Sequence, residues 1–89
     1  MARPKLPRNI CGRPTNSCFK PNGIPVSELE EIQLELDEFE ALRLVDLEGM
    51  QQQVAAIEMG VSRQTLANLV KSARKKVIDC IVNSKALKM

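Results

Sequence analysis

Arg63, Gln64, Thr65 and Asn68 fall within six residues of one another, and they are side-chain types that can read the edge of a DNA base pair. A guanidinium matches the O6/N7 pair of guanine, and an Asn or Gln amide matches N6/N7 of adenine. Thr offers a hydroxyl or a methyl contact. On a helix, Gln64, Asn68, Lys71 and Lys75 recur at spacings of four, three and four, which puts them on one face. Arg74 and Lys76 broaden that face. Lys71, Arg74 and Lys75 lie beyond the first two turns, where phosphate contact is expected, and such contacts position a protein without specifying sequence. The plainer reading of the same residues is a solvated helix surface.

What favours the first reading is the segment that must position them. From Gln52 to Lys71 the chain has the pattern of a helix-turn-helix, with Gly60 as the turn. Ala56, four residues earlier, is small enough to let two helices approach closely. Ala55, Met59, Val61, Leu66 and Leu69 occupy inward positions, whereas Ser62, Arg63, Gln64, Asn68 and Lys71 point away. Such a unit lays its second helix in the major groove, N-terminus nearest the bases. Ser62 is expected to cap a helix running from Arg63 to about Val82. Its buried stripe would be Leu66, Leu69, Val70, Ala73, Val77, Cys80 and Ile81. Gln52 and Gln53, opening the preceding helix, are within reach of a phosphate. A helical hairpin that only packs remains the alternative for this segment.

Upstream, Asp37 with Glu40 has capping-box spacing, and Asp37, Glu38 and Glu40 would complement the dipole of a helix that ends at Gly49. Its apolar residues (Phe39, Ala41, Leu42, Leu44 and Val45) are broad enough to be covered on two sides. Gln51 to Met59 forms the next helix. Ser27 to Glu30 also has capping-box spacing and suggests one helical turn. Ile32, Leu34 and Leu36 alternate with polar residues as in a short strand. That strand needs a partner, either the N-terminal segment or a second subunit. Residues 1–26 hold all five prolines and read as an extended basic arm anchored by Phe19. The arm could enter a minor groove or add only general attraction. Residues 27–89 form the folded domain.

Eighty-nine residues allow one small domain with an aliphatic core, because Phe19 and Phe39 are the only aromatics. That scarcity argues against single-strand binding by base stacking. Charge is segregated. Residues 1–25 carry five bases and no acid, residues 26–58 carry ten acids and Arg43, and residues 59–89 carry seven bases and Asp79. A net charge of +2 therefore conceals two basic ends, as suits a protein with one face toward phosphates. Self-solvating helices are the alternative explanation. No apolar run reaches the roughly 20 residues of a membrane span, and the N-terminus lacks a secretory signal, so a cytoplasmic location and no membrane partner are expected. Cys11, Cys18 and Cys80 do not form a secreted disulfide framework. With no His and only Cys11-x6-Cys18 as a pair, a zinc site would need cysteines pooled from two subunits. Cys80 sits on the apolar stripe as a small hydrophobe. Without His or a phosphate-binding Gly loop, neither catalysis nor a cofactor is expected.

Ala41–Lys76 resembles region 4 of sigma-70-type transcription factors, with a helix, a Gly-containing turn and a hydrophobic–Ser–Arg–x–Thr start to the recognition helix. The full length is similar to a small prokaryotic family of predicted DNA-binding proteins, domain of unknown function 134. The motifs that carry this are the MARPK start, Phe19–Gly23, Leu36–Leu44, Met59–Thr65, Ala73–Lys76 and Lys85–Leu87. The resemblance implies a DNA-binding regulator. The part by which sigma factors grip core polymerase has no counterpart here, so a free-standing sigma factor is not expected. The expectation is a mainly α, sigma-70 region 4-like helix-turn-helix with a short β-strand and a Pro-rich basic arm. It would bind double-stranded DNA as a homodimer in transcriptional control, through Ser62, Arg63, Gln64, Thr65, Asn68, Lys71, Arg74 and Lys75. The competing readings are a protein-interaction module docking on RNA polymerase or another regulator, and a cysteine-based metal- or redox-responsive regulator.

Overall fold

The computed structural model describes residues 18–89. It is mainly helical, with a small three-stranded sheet. Strand β1 (Cys18–Phe19) is followed by a 3-10 turn (Val26–Glu28) and strand β2 (Glu31–Gln33). Helix α1 (Leu36–Leu42) runs into a π-helical turn (Arg43–Leu47). Helices α2 (Gln52–Met59) and α3 (Arg63–Asn83) and strand β3 (Ala86–Lys88) complete the chain.

The sheet has the order β1-β3-β2, so the C-terminal strand is central. Strand β3 pairs antiparallel with β1, Phe19 opposite Leu87, and parallel with β2, Ile32 opposite Leu87. The ladder extends through the Ala86 N–H to the Glu30 carbonyl at 2.9 Å and the Leu34 N–H to the Lys88 carbonyl at 2.7 Å. The alternation at Ile32 and Leu34 thus finds its partner in the last residues of the chain, not in a second subunit. Leu36, expected in that strand, instead opens α1 and is 42 % exposed. Part of the expected arm is built into the sheet: Cys18 and Phe19 pair by their backbones, while Phe19, the expected anchor, is 62 % exposed and lies outside both cores. The rest of the arm, Cys11 included, lies outside the described residues.

Helix α3 is the spine. Its first half closes one core with α1 and α2, in which Ala41, Leu44, Ala55, Ala56, Met59, Leu66 and Val70 are buried. Its second half closes another with the sheet, built on Leu34, Ala73, Cys80 and Leu87, with Phe39 and Leu42 packed against it. Helix α1 therefore is covered on two sides, as its wide apolar surface requires. The outward end of the expected stripe differs: Ile81 is 69 % exposed.

The acids of α1 are not surface charges. Glu35, not Asp37, is the N-cap, and Glu38, not Glu40, accepts the Glu35 backbone N–H at 2.9 Å. The cap is set two residues earlier because Leu36 enters the helix. Asp37 and Glu38 still lie at the positive end of the helix dipole. Glu40 is fully buried and accepts from Nε and Nη2 of Arg43, at 2.9 and 3.0 Å. Glu38 is also buried. It accepts from Lys76 Nζ at 2.6 Å and from the Ser72 hydroxyl, and the same Lys76 Nζ donates to the Gln33 carbonyl at 2.7 Å. Lys76 therefore fastens α3 to α1 and β2 and does not join the exposed cationic face. The π turn follows at once: Glu48 N–H reaches the Arg43 carbonyl at 2.9 Å, five residues back.

Burial alone would push the Glu38 carboxyl up. The hydrogen bonds from Lys76, Ser72 and the Glu35 backbone outweigh it and hold the group below the usual carboxylate range. The folded protein consequently takes up this proton less readily than the unfolded chain. Its contribution to stability is full above about pH 4–5 and is lost as pH falls through the depressed value. Glu38→Gln should lower stability near neutrality by about 2–3 kcal/mol, the loss of hydrogen bonds to a charged group. In urea melts, the gap between wild type and variant should close as pH is lowered toward about 3; a gap independent of pH would contradict the assignment.

Candidate nucleic-acid interface

Three residues separate α2 from α3, and each has a structural reason to be what it is. Gly60 adopts φ +70°, the left-handed conformation that ends α2. Its N–H reaches Ala56 and Ile57 carbonyls, and the Val61 N–H reaches the Ala56 carbonyl at 3.0 Å. Val61 packs half-buried against the first core, and Ala56 itself is buried between the helices. Ser62 is the N-cap of α3: its Oγ accepts from the Thr65 N–H at 3.0 Å and donates to Thr65 Oγ1 at 2.9 Å. Ala55, Met59 and Leu66 are buried and Leu69 is packed against the same core, so the inward set is as its spacing requires.

The outward set divides into three groups. Arg63, Gln64, Asn68, Lys71 and Lys75 are exposed on α3. Gln64 Nε2 donates to Asn68 Oδ1 at 3.1 Å, which links two exposed amides one turn apart and leaves the Gln64 oxygen and the Asn68 Nδ2 outside that bond. Among the described residues, neither Arg63 nor Lys71 has a carboxylate at ion-pair distance. Asp79, one turn on from Lys75, is held below the usual carboxylate range chiefly by hydrogen bonds from Asn83 and Lys85. Ser62 and Thr65 form the second group, since their hydroxyls serve the cap and each other. Arg74 is the third. It grips Asp46 of the π turn with two bonds, at 3.0 and 2.7 Å, and these hydrogen bonds lower the Asp46 pKa and raise that of Arg74. Arg74 was expected among the phosphate contacts, and the structure gives it an internal partner 28 residues away. The pair was not legible from local spacing because it depends on how the π turn aims Asp46.

Gln52 opens α2 half-buried beside exposed Gln53. Of the cysteines, Cys18 is half-buried in β1 and Cys80 is buried in α3, both as free thiols, with the Cys80 thiol pushed up by burial. Among the described residues, no three His, Cys, Asp or Glu side chains cluster to hold a metal, and no helix is long and apolar enough to cross a membrane.

Ser62→Ala removes the cap and should cost about 1 kcal/mol. Gly60→Ala forces a Cβ into the left-handed region and should cost at least about 1 kcal/mol. Thermal melts of the two variants test both; a Gly60→Ala protein as stable as wild type would show that the turn has another conformation.

A UPF0251 protein of Aeromonas salmonicida (strain A449) is 70 % identical over 89 residues, covering 100 % of this chain and 87 % of its relative. A UPF0251 protein of Vibrio cholerae (strain M66-2) is 63 % identical over 87 residues, 98 % of this chain and 89 % of its own. One from Shewanella halifaxensis (strain HAW-EB4) is 53 % identical over 87 residues, 98 % and 91 % of the two chains. No solved structure matches the chain significantly. The family model described as "Protein of unknown function DUF134" matches residues 1–89, and the chain belongs to that family.

Proposed function

We propose that this protein is a sequence-specific double-stranded DNA-binding regulator that reads the major groove with the N-terminal half of α3. One observation carries the reading. A glycine-ended helix, a three-residue turn and a Ser-capped second helix leave Arg63, Gln64 and Asn68 exposed on the first two turns. Those are the positions and side-chain types a helix-turn-helix uses on base edges. Lys71 and Lys75 continue the same face and take phosphates. Ser62 and Thr65 act by holding the helix N-terminus, whose free N–H groups suit a phosphate. Arg74 acts mainly through Asp46, bracing α3 against the π turn. The likeness to sigma-70 region 4, a cytoplasmic location and a role in transcription belong to this reading.

Of the ten acids of residues 26–58, Asp37, Glu38 and Glu40 are buried and Asp46 is paired with Arg74, which reduces the acidic surface a polymerase-docking module would present, while Glu28, Glu30, Glu31, Glu48 and Glu58 lie exposed.

Arg63→Ala should lose about 1–3 kcal/mol on the preferred duplex and blur the preference at one base pair. Lys75→Ala should weaken all duplexes alike and reduce the salt slope by about one. Gel-shift titrations at several salt concentrations separate the two effects; Arg63→Ala binding its preferred duplex like wild type would remove α3 from the reading role.

A further inference from the structure

We infer that two copies of this chain dock through the C-terminal half of α3 and the groove beside it, forming a two-fold dimer; its spacing argument rests on the DNA-reading role proposed for the other end of the same helix. The face that carries Gln64, Asn68, Lys71 and Lys75 continues at the same three- and four-residue spacing through Ile78 and Val82. The stripe is polar as far as Lys75 and apolar from Ile78 onward. Ile78 is 53 % exposed, and Ile81 and Val82 are each 69 % exposed. None of the three belongs to either core. Clustered exposed aliphatics of this kind mark a surface that meets protein, not water or phosphate.

A groove of about 340 Å³ runs alongside this ridge, lined by Phe19, Pro21, Val77, Ile81 and Leu87, with Cys80 among its walls. The lysines at its margin are occupied. Lys20 Nζ donates to the Ile24 carbonyl at 2.8 Å, and Lys85 Nζ donates to Asp79 at 3.0 Å. The groove therefore offers an apolar surface without a free charge to call for an ionic ligand. Ile81 belongs to both ridge and groove. A two-fold axis beside Ile81 sets the ridge of each copy over the groove of the other, the self-complementary arrangement that an isologous interface needs. An unrelated partner would have to supply both features, whereas a second copy has them by symmetry.

The spacing also fits DNA. Leu66, in the middle of the reading segment, lies fifteen residues before Ile81, or about 22 Å along the helix. Two copies meeting at Ile81 hold their reading ends up to about 45 Å apart when the helices are antiparallel, and closer as they cross. That range contains the roughly 34–36 Å between half-sites one turn apart.

Sedimentation equilibrium of the full chain without DNA tests the interface. Wild type should self-associate, and Ile81→Glu or Val82→Lys should each raise the dimer dissociation constant at least about 30-fold, as a residue central to an interface does. Both side chains are exposed, so thermal melts should stay close to wild type, and Val82→Lys tests the ridge even where a change at the groove margin disturbs packing. On DNA, Ile81→Glu should keep its affinity for a single half-site and lose the gain from a second half-site one turn away. A wild type that stays monomeric, or variants that associate like wild type, overturns the dimer. A dimer broken by both substitutions that binds no duplex supports the interface and overturns only the DNA reading.

Discussion

The buried Glu38 carboxylate is the interaction on which the arrangement of this small protein depends. It receives the Glu35 N–H, the Ser72 hydroxyl and the Lys76 ammonium, and Lys76 also holds the Gln33 carbonyl. One charged group thereby joins the start of α1, the middle of α3 and the end of β2. Apolar contacts between these elements tolerate sliding. A carboxylate with three donors does not, because moving any one of them leaves a charge buried without its partner. The tie fixes the position of α3 along α1, and everything proposed for the surface is borne on α3.

Charge pairs repeat this logic at the middle of α3 and just beyond its C-terminal end. Arg74 holds Asp46 in the π turn, and Lys85, just past the helix, joins Asp79 and Glu30. A chain of 89 residues cannot bury a large apolar core. Its two modest aliphatic clusters, one on each half of α3, are therefore supplemented by directional contacts that set the angles between elements. The outcome is a rigid spine with its capped N-terminus free to meet a groove, its middle locked to α1, and its C-terminal half carrying both sheet and exposed ridge.

The parts of this plan governed by local rules were legible in the sequence. Gly60 and Ser62 mark the turn and the cap through their own backbone and side-chain chemistry, and Leu66, Val70, Ala73 and Cys80 mark the buried stripe by spacing. What depends on distant partners was not. Ala86–Lys88 is only three residues long, and nothing local distinguishes it from a frayed terminus until Ile32 and Phe19 lie on either side. Asp37, Glu38 and Glu40 suit a solvated first turn equally well. The partners of buried Glu38 are Ser72 and Lys76 and that of buried Glu40 is Arg43, of which only the last is near in sequence. Of the expected base and phosphate contacts, Arg63, Gln64, Asn68, Lys71 and Lys75 share the exposed face. Arg74 is turned to Asp46 by a π turn that no spacing rule foresees, and Ile81 leaves the core because the sheet covers only one side of the helix.

The central claim is that the capped end of α3 reads a DNA sequence. Selection from a random duplex pool, followed by titration of the recovered duplexes and a scrambled one at several salt concentrations, tests it most directly. The account predicts a shared motif bound at least about 1,000-fold more tightly than the scramble. Recovery of no motif, with weak binding to every duplex that disappears near physiological salt, would contradict it.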